Sequence, residues 1–95
     1  MSFHFEWDKQ KAATNLRKHG ISFDEARTVF SDPLARIFDD PDHSTVEPRE
    51  IIVGHSLARQ MLIVSFPVRR AAIRIISIRP VTKRERQDYE ENNLF

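Results

Sequence analysis

Six arginines and no lysine occupy the segment from Arg49 to Arg79, namely Arg49, Arg59, Arg69, Arg70, Arg74 and Arg79, with Glu50 as the one acid among them. A guanidinium binds phosphate through two parallel hydrogen bonds and stacks on bases, so this segment points to a nucleic-acid or other anionic partner. Arginine supplies charge but does not exchange protons near neutral pH; that task falls to His, Glu or Lys. The chain offers Lys18, His19, His43 and Glu47 for proton transfer, with Arg49 and Arg79 on strand-like segments to face a phosphate. Each has a structural use as well. Lys18 and His19 sit where cations favour the end of a helix, and Glu47 and Arg49, two apart on extended chain, are placed to form an ion pair.

Other chemistries are poorly supported. Gly54-His55-Ser56-Leu57-Ala58 approximates a nucleophile elbow, but that motif needs a strand-to-helix turn, and here another strand follows. Two glycines are too few for a phosphate-cradling loop, and zero Cys removes disulfides, thiolates and Cys-ligated zinc. Asp39, Asp40, Asp42 and His43 are hard-metal ligand types in one stretch. They lack the glycine of a calcium loop and a second ligand pair at helical spacing, so a solvated acidic loop is expected, with no metal and no cofactor. His4 reads as a surface residue.

The elements that must position these groups follow from pattern. Asp8 to His19 reads as a helix with Asp8 as N-cap, Ala12 and Leu16 on one face and Gly20 just past its end. Ser22 and Glu25 have capping-box spacing and open a second helix, with Phe23, Ala26 and Phe30 as its apolar stripe, closed by Ser31-Asp32-Pro33. Leu34 to Phe38 reads as a strand. Arg49 to Ser56, Met61 to Val68 and Ala72 to Arg79 are further strands, joined by connections short enough to require antiparallel hairpins. Thr82 and Glu85 repeat the capping-box spacing and start a charged helix to about Asn92. The expectation is an α+β fold: two N-terminal helices, an antiparallel β-meander of three to four strands, and a C-terminal helix, with the helices on one sheet face.

Ninety-five residues, 40% apolar and 31% charged, suit one domain spanning 1–95. Met1 to Pro48 carries six Lys/Arg against nine Asp/Glu, and Arg49 to Phe95 nine against five, so the basic character lies in the second half. No apolar run suggests a membrane span or a leader, and a cytoplasmic location is expected. Trp7 reads as a core anchor rather than a base-stacking platform.

Taken together, Phe5-Glu6-Trp7-Asp8, Lys11, Asn15, Lys18-His19-Gly20, Phe23, Glu25-Ala26 and Phe30 resemble the opening of the BrnT-type toxins of bacterial type II toxin-antitoxin systems. His43-Ser44, Glu47-x-Arg49, Gly54, Arg59, Leu62-x-Val64, Arg74-Ile75-Ile76-Ser77-x-Arg79, Glu85-Arg86 and Tyr89 continue that pattern in order. Three positions depart from it: Ala58 stands for a turn glycine, Pro67 for a common Thr, and Ile78 for Ala. The resemblance implies a RelE-like ribonuclease fold that cleaves RNA without a metal, held in a heteromeric complex by a ribbon-helix-helix antitoxin. On that reading Lys18, His19, His43, Glu47, Arg49 and Arg79 are the candidate catalytic residues, and Arg59, Arg69, Arg70 and Arg74 the candidate RNA-binding ones. The alternative is a non-catalytic RNA- or protein-binding module of the same fold. Thr82 to Asn92 is then a solvated face or an antitoxin contact.

Overall fold

Asp8 opens the first helix: its carboxylate accepts hydrogen bonds from the amides of Gln10 and Lys11 at 2.7 and 3.1 Å, two donors that a helix start leaves without intrahelical partners. The computed structural model in which this is seen describes residues 4–40, 49–69 and 72–91. This helix, α1 (Lys9–His19), ends at Gly20, whose φ of 70° is the left-handed conformation that glycine adopts without steric cost. α2 (Phe23–Val29) starts at Ser22, whose hydroxyl accepts the Glu25 amide at 3.1 Å. A strand precedes both helices, β1 (His4–Trp7).

The remaining strands are β2 (Arg36–Asp39), β3 (Glu50–His55), β4 (Met61–Phe66), β5 (Val68–Arg69), β6 (Ala72–Ile75) and β7 (Ser77–Pro80), followed by α3 (Lys83–Glu90). They form two sheets. One is antiparallel with order β2-β3-β4-β7; the other has order β1-β6-β5, with β1 parallel to β6. On one face of the larger sheet Ile52, Leu62, Val64 and Ile78 pack with Ile21, Phe23, Ala26 and Val29 from the α2 region, and the cluster continues into Ile73 and Ile75 of the smaller sheet. Ile51, Val53 and Ile63 point to the opposite face, where Phe38, Val81 and Tyr89 pack on them. Trp7 packs edge-on against Phe23, centroids 5.9 Å apart, so its ring serves the core.

The expected layout of two leading helices and a single meander needs three corrections. A strand comes first, and it pairs in parallel, His4 opposite Ala72 and Trp7 opposite Ile75. Parallel pairing requires a long crossover, here most of the chain, and four residues of weak alternation carry no local sign of so distant a partner. Second, Ala72 to Arg79 is two strands in two sheets. The hairpin that follows β4 breaks on both arms: Pro67, which has no amide to donate, separates β4 from β5, and Ile76 separates β6 from β7. The break at Ile76 shifts the alternation by one, so Ile73, Ile75 and Ile78 are all buried while Ser77 is exposed. Third, the helices cover both faces of the larger sheet, because Tyr89 of α3 belongs to the second cluster. Leu16, which the pattern puts on one face with Ala12, is 49% exposed, and the buried residue of α1 is Asn15.

Candidate functional site

β7 is an edge strand, with outward amides that need partners or cover. Asn15 supplies one: its side-chain oxygen accepts the Ile78 amide at 3.1 Å, while its nitrogen approaches the Ile21 carbonyl at 3.5 Å. Asn15 is buried, so α1 is fastened along the open edge of β7 by a polar contact shielded from water.

The seam between them widens into a groove of about 550 Å³, lined by Gln10, Lys11, Thr14, Asn15, Lys18 and His19 from α1 and by the Ile76–Arg79 stretch. Two cationic lysines, an imidazole and a guanidinium therefore border one cleft. The spacing explains the helical wall. Lys11, Thr14, Asn15 and Lys18 recur at three, four and seven residues and fall on one side of α1. His19 is in the final turn, followed at once by Gly20, and is half-buried.

Arg79 is held in place. Its two terminal nitrogens donate to the two oxygens of Glu85 at 2.8 and 2.9 Å, and one also reaches the Pro80 carbonyl at 3.2 Å. Glu85 is itself fixed by the start of α3, where its carboxylate accepts the Thr82 amide at 2.8 Å and the Thr82 hydroxyl accepts the Glu85 amide at 3.1 Å. The Arg79 hydrogen bonds above all, with the Thr82 amide in support, outweigh burial and hold the Glu85 carboxyl down at about 2. The same hydrogen bonds raise Arg79 above its ordinary value.

Lys18, His19 and Arg79 are thus brought together. Arg49 lies beside β3 on the same sheet face as Arg79 by strand alternation, but two strands away, since Arg79 pairs with Ile63 and Ile63 with Val53. Arg74 is engaged elsewhere, 3.6 Å from Glu6. Arg59 occupies the β3–β4 turn with φ 64°, a left-handed conformation. That turn is latched to α2, with the Ser56 hydroxyl donating to Glu25 at 2.7 Å and the Leu57 amide to the Thr28 hydroxyl at 2.9 Å. Arg69 contributes backbone to β5, opposite Ala72. His43, Glu47 and Arg70 lie outside the described residues, as does Asp42 of the acidic loop. Among the described residues no three His, Asp or Glu side chains come together as a metal site.

Lys11, Ser77 and Glu85 were not among the residues that sequence alone singles out for chemistry. The first was within reach, because its seven-residue spacing from Lys18 puts both on one helix face. Glu85 was legible only as a capping residue.

The two sheets and three helices form a small α+β domain with a cationic groove at a strand edge, and the comparisons specify its family. Residues 7–85 match the family described as ribonuclease toxin, BrnT, of type II toxin-antitoxin system. The chain belongs to this family of ribonuclease toxins. A 1.1 Å crystal structure of the Brucella abortus ribonuclease toxin BrnT superposes on it with a TM-score of 0.66 at 26% identity, covering 86% of this chain and 100% of that one. No curated protein sequence matches the chain significantly.

Proposed function

We propose that this chain is an RNA endonuclease whose active groove lies between α1 and β7, acting without a metal to inhibit translation and growth, and neutralised by a ribbon-helix-helix antitoxin. The observation that carries the reading is the meeting of Lys18, His19 and Arg79 in one cleft. Metal-independent cleavage asks for a base, a cation and an acid, and the groove offers all three types. In this reaction the ribose 2′-oxygen attacks phosphorus and gives its proton to the imidazole of His19, the assigned base. The P–O5′ bond breaks, the departing oxygen takes a proton from Lys18, and a 2′,3′-cyclic phosphate and a 5′-hydroxyl result. Charge gathering on the non-bridging oxygens is met by Arg79 at the groove rim.

One observation favours the non-catalytic reading: Glu85 already fills the Arg79 fork, as it would in a purely structural pair. Cleavage of RNA by the purified protein in excess EDTA separates the two. Cutting that persists in EDTA and disappears in His19→Ala with the fold intact supports catalysis; binding without cutting supports the module. Co-expression with the product of an adjacent reading frame is expected to restore growth, and a rescuing partner without the ribbon-helix-helix pattern would overturn that part of the proposal.

A further inference from the structure

Lys11 and Lys18 both line the groove, two helical turns apart, which is about 10.5 Å along α1 at the helical rise. The opposite wall carries Ser77, which pairs across β7 and β4 with Ser65, and Ser65 pairs with Ile51 of β3. By strand alternation Ser77, Ser65 and Arg49 share the face that also bears Arg79. Apolar packing from Val81 and Tyr89 covers the Ile51, Val53 and Ile63 part of that face, whereas Ser77 is exposed and Ser65 and Arg49 are half-buried. A polar line therefore leaves the groove and crosses the sheet, with cations at both ends and hydroxyls between.

We infer that this line is a channel for a single RNA strand, with its phosphates on Lys11 and Lys18 along α1 and its continuation over Ser77 and Ser65 toward Arg49. The inference rests on the RNA-directed reading of the groove and adds the path that the strand takes beyond it. His19 is the one ring among the lining residues, so the contacts fall on phosphates and sugars rather than on stacked bases. A cleft of about 550 Å³ between one helix and one strand edge holds a short piece of a single chain. A duplex, whose phosphates lie on either side of a broad minor groove, does not enter it.

The test uses 2′-O-methyl RNA, which lacks the attacking hydroxyl and so reports binding alone. A single-stranded 12-mer and the same sequence as a duplex are titrated by fluorescence anisotropy at several salt concentrations. The proteins are wild type, Lys11→Ala, Arg49→Gln and the double variant, each checked by thermal melting. The single strand is expected to bind at least tenfold tighter than the duplex. Each single variant should flatten the log–log salt slope by about 0.7 and the double variant by about 1.4, one phosphate contact per residue. A wild-type slope in folded Lys11→Ala or Arg49→Gln, or equal affinity for duplex, overturns the channel. Single-turnover cleavage of ordinary RNA by Lys18→Ala and His19→Ala is measured alongside. Loss of cleavage in these, with unchanged slopes in the others, leaves the groove reading standing without the channel; full cleavage in both removes the groove reading itself.

Discussion

The Arg79–Glu85 pair places one guanidinium in two roles, as a tie between β7 and α3 and as a cation at the groove rim. If it stabilises charge in the transition state, Arg79→Ala should lower single-turnover cleavage by roughly a hundredfold to a thousandfold, the range for loss of one oxyanion-type donor. Arg79→Lys should fail to restore it, because an ammonium lacks the planar fork. The tie itself has a pH signature. Glu85 titrates lower in the folded chain, at about 2, than its ordinary 4.5, so its contribution is complete above pH 4.5 and is lost as pH falls toward 2. The Arg79 side chain is 43% exposed, and after solvent screening the pair is worth about 1 kcal/mol. Glu85→Gln should therefore melt below wild type at pH 7, and the gap should narrow between pH 4.5 and 2; a constant gap would separate the stability from the charge. Sequence showed the Thr82–Glu85 box because capping is local. It hid the sharing of Glu85 with Arg79, which depends on how the chain turns between β7 and α3.

At the scale of elements, the groove is only as well formed as the seam between α1 and β7. Asn15→Ala leaves the Ile78 amide buried without its acceptor, at a cost of about 1–3 kcal/mol. Urea denaturation should show that loss, and cleavage should fall further than stability predicts, because the wall carrying Lys18 and His19 loosens from the wall carrying Arg79. Gly54 is a second point of close fit: a Cβ there would meet the Ala35 Cβ at 2.8 Å and an Asp32 carboxylate oxygen at 2.9 Å. That carboxylate accepts the His55 amide at 2.8 Å, so Gly54→Ala should cost about 1–3 kcal/mol in urea denaturation by forcing the loop outward. A variant as stable as wild type would mean that the loop relaxes freely. Helix starts at Asp8, Ser22 and Thr82 were legible because each cap lies within three residues of the amides it serves. The slip at Ile76 was not, since it arises from two sheets sharing one hairpin, and a period-two reading carries straight through it.

Across the whole molecule the described arginines Arg49, Arg59, Arg74 and Arg79 are dispersed rather than pooled. Arg79 borders the groove, Arg49 lies two strands away, Arg59 is in a turn tied to α2, and Arg74 faces Glu6. A count of charge along the chain showed a basic half; it did not show that α1, from the acidic half, supplies most of the cleft. Replacing Arg74 with Ala is accordingly expected to leave RNA affinity within about twofold of wild type, whereas Lys18→Ala should weaken it severalfold, as read by anisotropy. The parallel pairing of β1 with β6 also governs when the groove can form. During synthesis α1 leaves the ribosome early, but β1 waits for its partner and α1 for the strand edge it lies on until residues through Pro80 have been made. Contacts of such separation close late and slowly. A cleft whose two walls lie this far apart in the chain therefore closes only after both have been made, so its assembly is tied to the long-range pairing rather than to the early helix.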